Sequence, residues 1–593
     1  MKPIWKWLIG IFAVLILLVV GGSWYLSTRW KPLLDQQLKE AILKSTDSLY
    51  SVDYQDIDLN LLTGNIDLKG FVLRADTNIY AQQKLSFKAG RTLYDIEVDR
   101  LRVTGVNVWG LIRNRKLKVG KVLIEQPNVR MMTDTEVPKK IQSPSDTLSL
   151  YEKLKSTFSA LNVEKIELRQ VNLSLETKQE SNWTSTLFEN VNLSVDDFLI
   201  AEETQLDSTR FLYSKNIVLD MPSFRYDTPD SFYVVQFDSL RMETAQKRLE
   251  IIGFEYVPKM DKPTFFKLKN AAKDRIELVF DRILVDHMDF ASLEQDGYFR
   301  AGQMLLDSGR LDVYNDLRFP RIRTNKIGKS PHQQLMKLKQ LIYLDSVVVR
   351  GIDISYAEVS PRYHKEGKIT FTESGGTLYN VTNDSSHLAS NPLMTAAMYT
   401  KLMNTGKLTV DFGFDMLDAK GAFTYKGQLG AMDGRPLNRI LTPLLNAEVA
   451  SANIRSLRFD MKGEDRRNWG TLHFNYDNMK INLLGQNDEG KASAKKVISF
   501  IANSFIINDS NPDANEKYHV GRIQYQRPVN FSFFKTLWKS LLEGIKQTAG
   551  VSKEREQRLM NTAEQVKEAN QKGKSLLNRI FKPRDKEKDT KNP

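Results

Sequence analysis

The residues best placed for metal chemistry lie in the stretch DIDLNLLTGNIDLKG, which begins at Asp56. Asp58 and Asn60 follow at alternate positions and Asp67 stands at the twelfth place, so the spacing approaches that of a calcium loop. A calcium loop of this kind needs glycine at its sixth place and glutamate at its twelfth. Leu61 and Asp67 occupy those places, and we therefore reject the calcium interpretation.

The same stretch fits a β-hairpin better. Aliphatic residues alternate with the acids, which places them on one face of a strand. The tripeptide TGN then supplies a turn, and the alternation resumes on a return strand. The aliphatic residues of this predicted hairpin are Ile57, Leu59, Leu61, Ile66 and Leu68.

No other set of residues indicates catalysis or a cofactor. The chain has six scattered histidines, no pair of them at metal-ligand spacing, and no cysteine. No serine lies in a G-x-S-x-G turn, and RTNKIGKS carries Arg323 where a phosphate loop needs its first glycine. We expect a protein that is not an enzyme and that uses neither a metal nor a cofactor. An envelope enzyme that acts on glycan or lipid stays an alternative only if its active site is assembled from residues that are distant in the sequence.

Composition and charge argue for a folded, water-facing chain that does not bind nucleic acid. The 593 residues are 41% hydrophobic and 26% charged, with a net charge of +13. Residues 533–593 hold 15 Lys or Arg against 8 Asp or Glu, so +7 of the +13 lies in the last tenth of the chain. The rest has no basic stripe with interleaved aromatic residues, which nucleic-acid recognition would require.

One segment predicts a membrane anchor. Residues 8–26 carry no charge and are long enough to cross a hydrocarbon core of about 30 Å. A cleaved signal peptide is the alternative, with a weak site at Gly21-Gly22-Ser23. Basic residues lie on both sides of the segment, so their distribution does not set its orientation. The flanking aromatic residues expected at the membrane interface are Trp5, Trp7, Trp24, Tyr25 and Trp30.

A thirteen-residue pattern occurs five times, beginning at Val98, Val119, Val163, Phe280 and Leu344. Each copy has apolar residues at positions 1, 4, 6, 9 and 11, and Asn or Asp at position 10, with Pro at position 9 of the second copy. Steps of two are a strand period, whereas steps of three reverse the face unless a bulge intervenes. The pattern predicts an elongated, curved antiparallel sheet with a few amphipathic helices, in a mainly β protein.

The predicted organisation has six parts. They are an anchor at 1–30, a helix and β region at 31–132, a central β region with a helical insertion at 133–330, a further β region at 331–490, a strand and amphipathic helix at 491–550, and a charged helix with a basic tail at 551–593. The amphipathic helix either caps the sheet or lies in a membrane interface, because its polar face is basic. Its apolar face contains Phe534, Leu537, Trp538, Leu541 and Ile545.

The order of these features resembles the AsmA-like family of Gram-negative envelope proteins. The resemblance lies in KPLLDQQLKEAILKST after the anchor, VDYQDIDLNLLTGNIDLKGFVL, IEVDRLRVTGVNVW and VGKVLIEQPNVRM, and near the end in GAFTYKGQLGAMDGRPLNRILTPLLNAEVASANIRSLRFDMKGEDRRNWGTLHFNYDNMKINLL. Together these stretches cover about a third of the chain. The resemblance implies an inner-membrane anchor with the bulk of the chain in the periplasm.

The resemblance also implies a function. AsmA-like proteins are similar to TamB and to chorein-like bridge proteins, whose curved sheets form a groove with an apolar face for lipid acyl chains. Many aliphatic strand faces and few helices to cover them agree with such a groove. We expect phospholipid transport or outer-membrane lipid homeostasis, with membrane lipid as the partner. The expected groove residues are Ile57, Leu59, Leu61, Ile66, Leu68, Leu101, Val103, Ile166, Leu168, Val347 and Val349.

A second function fits the same predicted fold. Exposed sheet edges can bind other chains by strand addition, so the protein is alternatively a structural or assembly factor for outer-membrane protein biogenesis, with other envelope proteins as partners.

Overall fold

A computed structural model describes residues 39–551, with gaps at 41, 44–45, 61–62, 87–88, 108–109, 111–112, 138–149, 156–157, 180–181, 206, 208, 322–323, 484, 487–491 and 494–507. The predicted anchor, its flanking aromatic residues, and the charged helix and basic tail lie outside the described residues. Within the described part of the chain, no helix has both the length and the apolar character needed to cross a membrane.

The described chain is mainly β and forms two compact units. Unit 1 comprises the described residues within Met1–Asp261, Ile276–Leu311 and Gln340–Arg350, and unit 2 comprises those within Lys262–Arg275, Asp312–Lys339 and Gly351–Pro593. The strands of unit 1 are β1 (Tyr50–Asp53), β2 (Asp56–Asn60), β3 (Asn65–Ala75), β4 (Thr92–Thr104), β5 (Lys116–Glu125), β6 (Asn128–Asp134), β7 (Ala160–Gln179), β8 (Asn182–Ala201), β9 (Asn216–Met221), β10 (Phe224–Asp227), β11 (Tyr233–Phe237), β12 (Ser239–Glu243), β13 (Arg248–Pro258) and β14 (Arg275–Asp286).

Strand β14 has its first residue, Arg275, in unit 2, and strands β15 (Phe299–Asp316) and β16 (Ile342–Val359) also contribute residues to both units. The remaining strands are β17 (Glu366–Thr382), β18 (Leu393–Leu402), β19 (Gly406–Asp415), β20 (Phe423–Leu429), β21 (Met432–Asp433), β22 (Ala447–Gly463), β23 (Arg467–Leu483), β24 (Gly485–Gln486), β25 (Ala492–Ser493) and β26 (Val520–Gln526). The helices are α1 (Thr77–Leu85), α2 (Leu150–Leu154), α3 (Lys262–Lys269), α4 (Phe290–Asp296), α5 (Pro331–Leu335), α6 (Ser385–Leu388), α7 (Asn438–Leu445) and α8 (Phe533–Thr548), with short 3-10 turns at Glu202–Gln205 and Arg435–Leu437.

The predicted hairpin is confirmed. Strands β2 and β3 pair antiparallel, with Ile57 opposite Leu68 and Asn60 opposite Asn65 across the turn. Gly64 in that turn has φ +65°, and a Cβ there would lie 2.3 Å from the carbonyl oxygen of Val106, so only glycine fits.

The sheet is mostly antiparallel but is mixed, because it contains parallel strand pairs at β7. Strands β5 and β6 both pair in parallel with β7, whereas the other strand pairs whose register is described are antiparallel, as between β7 and β8. The chain between β6 and β7 spans residues 135–159 and contains α2. A parallel pair requires a crossover of about a dozen residues or more, and this connection is long enough to supply it.

The steps of three in the repeated pattern coincide with backbone irregularities, and in the third copy the step from position 6 to position 9 is a bulge, as predicted, because the strand register shifts between Leu168 and Val171. Position 8 adopts a left-handed backbone in all five copies, whether or not the residue there is glycine. Position 2 of the first copy, Asp99, and Gly70 on the neighbouring strand are both missing from the ladder between the pairs Phe71↔Val98 and Lys69↔Arg100, and the register is the same on both sides. Both irregularities return the apolar side chains to one face. The position-8 residues are Gly105 (φ 70°), Gln126 (51°), Gln170 (54°), His287 (58°) and Gly351 (66°).

The Asn or Asp at position 10 supports neighbouring backbone rather than a ligand. The side chain of Asn172 accepts a hydrogen bond from the N–H of Asn190 at 3.1 Å, and Asp353 accepts one from the N–H of Glu373 at 2.9 Å. Asn190 and Glu373 also have positive φ. A bulge leaves an N–H outside the strand ladder, so these side chains satisfy donors that the bulges have freed.

Unit 1 has two apolar clusters at its amino-terminal end. The first joins β1–β4 and β6, and its centre is Leu68, which is fully buried. The second joins β3–β5 and β7–β9, and Tyr151 and Leu154 of α2 pack against its edge beside the buried Phe158. The described part of unit 1 has few helices, so helix α2 covers only a small part of this face of the sheet.

Unit 2 has one larger core. Aromatic residues from neighbouring strands pack together in it, including Tyr425 and Tyr476, which are 1% and 0% exposed. Leu441 of α7 and Leu537 of α8 pack against the same cluster. Two helices, α7 and α8, therefore cover part of the core of unit 2.

Candidate functional site

The register of unit 1 aligns one apolar residue from each of ten paired strands. Each member lies directly opposite the next across a strand pair, so the row crosses the strands rather than following one of them. At about 4.8 Å per strand, nine spacings extend about 43 Å. We call this the first row: Ile57, Leu68, Leu101, Ile124, Leu168, Leu193, Leu219, Met242, Leu249 and Val285.

A second row runs beside it, two residues further along each strand. Most of its side chains are buried, for example Val103 at 2% exposure and Val195 at 1%, because they belong to the cluster beside α2. The second row is therefore core. Its members are Leu59, Ile66, Val103, Val122, Ile166, Val195 and Ile217, with Leu59 placed by its backbone pairing alone.

Phenylalanines lie on the other side of the first row. Phe224 and Phe237 are cross-strand partners with ring centroids 5.3 Å apart, and Phe188 stacks on Phe224 at 5.1 Å. Phe254 and Phe280 form a second cross-strand pair at 6.3 Å. Stacked rings at such distances attract each other beyond simple area burial, which favours an ordered row.

The two ends of the first row are buried, but its middle is not. Ile57, Leu68 and Val285 are at most 3% exposed, whereas the seven residues from Leu101 to Leu249 are only half-buried. The five phenylalanines are half-buried too. We call these twelve residues the apolar strip: Leu101, Ile124, Leu168, Leu193, Leu219, Met242, Leu249, Phe188, Phe224, Phe237, Phe254 and Phe280.

The strip lies on the face that carries the cores of unit 1. Leu101, Leu193 and Met242 pack against the rim of the cluster beside α2. Beyond that rim, no residue of unit 1 after Ile217 belongs to the buried part of either described cluster. The large apolar side chains of the strip are therefore partly exposed to solvent. Exposed apolar surface of this size commonly marks a binding surface.

The opposite face is ionic. Arg102 pairs with Glu125 at 3.2 Å, and Arg241 pairs with Asp220 at 2.7 Å. Hydrogen bonds from the Arg100 guanidinium hold the pKa of the Asp67 carboxyl below its usual value, because they favour the charged form. A surface cleft of about 590 Å³ on this face has an equally polar lining.

Most expected groove residues come together, but not all of them reach solvent. Four lie in the first row and four in the second, and of these Leu101, Ile166 and Leu168 are half-buried. Leu61 lies outside the described residues, and the side chain of Leu59 is likewise not described. Val347 is buried at 9% exposure and Val349 is half-buried, both on β16 and outside the two rows.

The hairpin residues that the sequence favoured are core residues in the structure. Ile57 and Ile66 are each 3% exposed, and Leu68 is fully buried. Residues of β8–β13 form most of the strip and were not named from the sequence. A signal was present, since Phe188, Phe237 and Phe280 each open an apolar and polar alternation in the sequence.

Helix α8 packs on the sheet of unit 2. Leu537 is 8% exposed and, with Leu541 and Ile545, contacts the core, which corresponds to the capping alternative. Phe534 and Trp538 point outward, at 68% and 39% exposure. Of the five membrane-interface residues expected on this helix, only these two are exposed, whereas Leu541 and Ile545 are half-buried and Leu537 is buried.

Neither a known family model nor any curated protein matches the sequence. Over the residues that the structure describes, no three His, Asp or Glu side chains converge into a group that could hold a metal ion.

Proposed function

We propose that the apolar strip binds the acyl chains of phospholipid and that the protein moves lipid through the envelope of a Gram-negative bacterium. In this proposal residues 8–26 anchor the chain in the inner membrane and the β units stand in the periplasm, as the resemblance to the AsmA-like family implies. The observation that carries the proposal is the continuous half-buried row from Leu101 to Leu249.

The dimensions of the strip suit an acyl chain. Its seven first-row residues span six strand spacings, or about 29 Å. One leaflet of a hydrocarbon core is about 15 Å deep, half of the usual 30 Å, so the strip is long enough for one lipid chain or two in tandem. Burial of each CH₂ contributes about 0.8 kcal/mol, and no bond has to be broken during transfer.

Photocrosslinking tests this proposal directly. A photoreactive phenylalanine analogue at Phe224 or Phe237 should form adducts with phospholipid in cells. The same analogue at Trp183 is the control, because Trp183 is 51% exposed on the opposite face of β8. Adducts with protein clients and none with lipid would refute lipid binding and support the assembly-factor alternative.

A further inference from the structure

We infer that an exposed aromatic and basic surface at the start of α8 docks onto an anionic lipid bilayer. This surface, which we call the α8 tip, lies in unit 2 and does not depend on the apolar strip. It consists of Phe534, Lys535 and Trp538 on the helix, and of the exposed Val529 and the half-buried Phe531 in the chain just before it.

The outward side of α8 is fixed by how the helix is held. Asn468 donates to the hydroxyl of Ser540, which is fully buried on the inner side, at 3.1 Å. One turn later Gly544 lies so close to β26 that a Cβ on Gly521 would be 2.7 Å from its carbonyl oxygen. A helix held by a buried hydrogen bond and a glycine contact cannot roll about its axis, so Phe534 stays on the outside.

The tip presents large apolar groups to solvent. Val529 is 51% exposed, Phe534 is 68% exposed, and Trp538 is 39% exposed one turn further along the helix. Isolated exposed apolar residues are ordinary, but a cluster that includes Trp and Phe on a helix is typical of membrane-interface contacts. Their side chains have an apolar body that enters the headgroup region.

The charges beside the tip favour an anionic bilayer as the occupant. The Lys535 ammonium lies 4.7 Å from the centre of the Phe531 ring, which places a cation beside the exposed aromatic groups. Helix α8 contains three lysines and one glutamate. Basic segments next to interfacial aromatic residues are attracted to anionic lipid.

The same charges disfavour a second copy of the chain as the occupant. A symmetric dimer through this tip would bring Lys535 of both copies together. Like charges facing each other oppose association, whereas anionic headgroups neutralise them. A bilayer therefore satisfies both the aromatic and the cationic parts of the surface.

The absence of cysteine allows a site-specific test on the full-length protein. We would introduce Phe534→Cys, attach an environment-sensitive fluorophore, reconstitute the protein in nanodiscs and add separate vesicles of phosphatidylglycerol and phosphatidylethanolamine. Leu268→Cys is the matched control, since Leu268 is 62% exposed on another helix, α3.

We expect the label at 534 to shift to the blue with anionic vesicles, to be quenched by nitroxide lipids in them, and to lose most of this response in high salt or with phosphatidylcholine alone. The label at 268 should not respond. Equal responses at both positions, or none at 534, would overturn the inference, as would a shift that follows protein concentration without vesicles. Adding Leu193→Asp should leave the response at 534 intact, which separates failure of this inference from failure of the lipid-binding proposal.

Discussion

A charge placed in the middle of the apolar strip should weaken lipid binding strongly while leaving the fold intact. Leu193 is the best position, because it lies between Leu168 and Leu219 in the first row and is only half-buried. The substitution is Leu193→Asp. The control is Leu187→Asp on the same strand, since Leu187 is 46% exposed and, opposite Ser174, faces the other side of the sheet.

The cost to stability should be small. Full burial of a leucine contributes about 1.5–3 kcal/mol, so a half-buried one contributes about 1 kcal/mol. The cost to binding should be larger, because a carboxylate facing an acyl chain loses water without gaining a partner. Desolvation of a polar group costs about 1–3 kcal/mol and the lost contact with one CH₂ about 0.8 kcal/mol. A sum of at least about 2 kcal/mol corresponds to roughly thirtyfold weaker binding.

The assay is quantitative lipid extraction and native mass spectrometry of the purified full-length protein, with fluorescent-phospholipid transfer between vesicles as the functional readout. Leu193→Asp should carry little bound phospholipid and transfer it slowly, whereas Leu187→Asp should match the parent. Circular dichroism should show the same strand content in all three. Parental lipid content in Leu193→Asp, with the fold retained, would refute the assignment of the strip. An equal loss in both variants would also count against it, because the effect would not then belong to one face.

Three further changes test the packing and backbone conformation of the two units. Leu68→Ala should lower the free energy of unfolding by about 2–5 kcal/mol in chemical denaturation, because Leu68 is fully buried and its truncation leaves a cavity. An unchanged denaturation midpoint would show that Leu68 is not a core residue. Gln170→Gly should raise the free energy of unfolding by about 0.5–1 kcal/mol in the same assay, because Gln170 has a left-handed φ of 54° at a position where two other copies of the pattern have glycine. A lower free energy of unfolding would mean that contacts of the Gln170 side chain outweigh the strain in its backbone. Burial lowers the pKa of His332 below its usual 6.5, with the backbone of Gly421 acting in the opposite direction, so the folded state binds its proton less readily than the unfolded state. Stability should therefore rise with pH up to about 6.5, and His332→Phe should flatten that slope in unfolding midpoints measured from about pH 5 to 7.5, whereas an identical slope in both proteins would exclude His332 as its source.

Local features of the fold follow from the sequence with little help from tertiary structure. The hairpin at Asp56 was predictable because alternation and a glycine turn act over a few residues. The bulges were predictable for a similar reason, since a step of three in a strand pattern needs an extra residue wherever the strand lies. Position 10 was recognised as Asn or Asp, but its role as an acceptor for a neighbouring bulge required the register.

Features that depend on distant parts of the chain were not predictable in the same way. The parallel pairing of β5 and β6 with β7 depends on where a long connection returns. The row from Leu101 to Leu249 depends on the register of seven strands, each of which carries only one of its members. No local pattern distinguishes a strand that continues such a row from one that ends it.

The sequence by itself determined which side chains of each strand share a face, because that is decided by the two-residue period and its bulges. It also determined that helices are too few to cover all of those faces. Only the tertiary structure decided which apolar residues are covered. Burial depends on what packs above a residue, and so Leu68 became core while Leu193, on an equally apolar strand, remained half-buried at the surface.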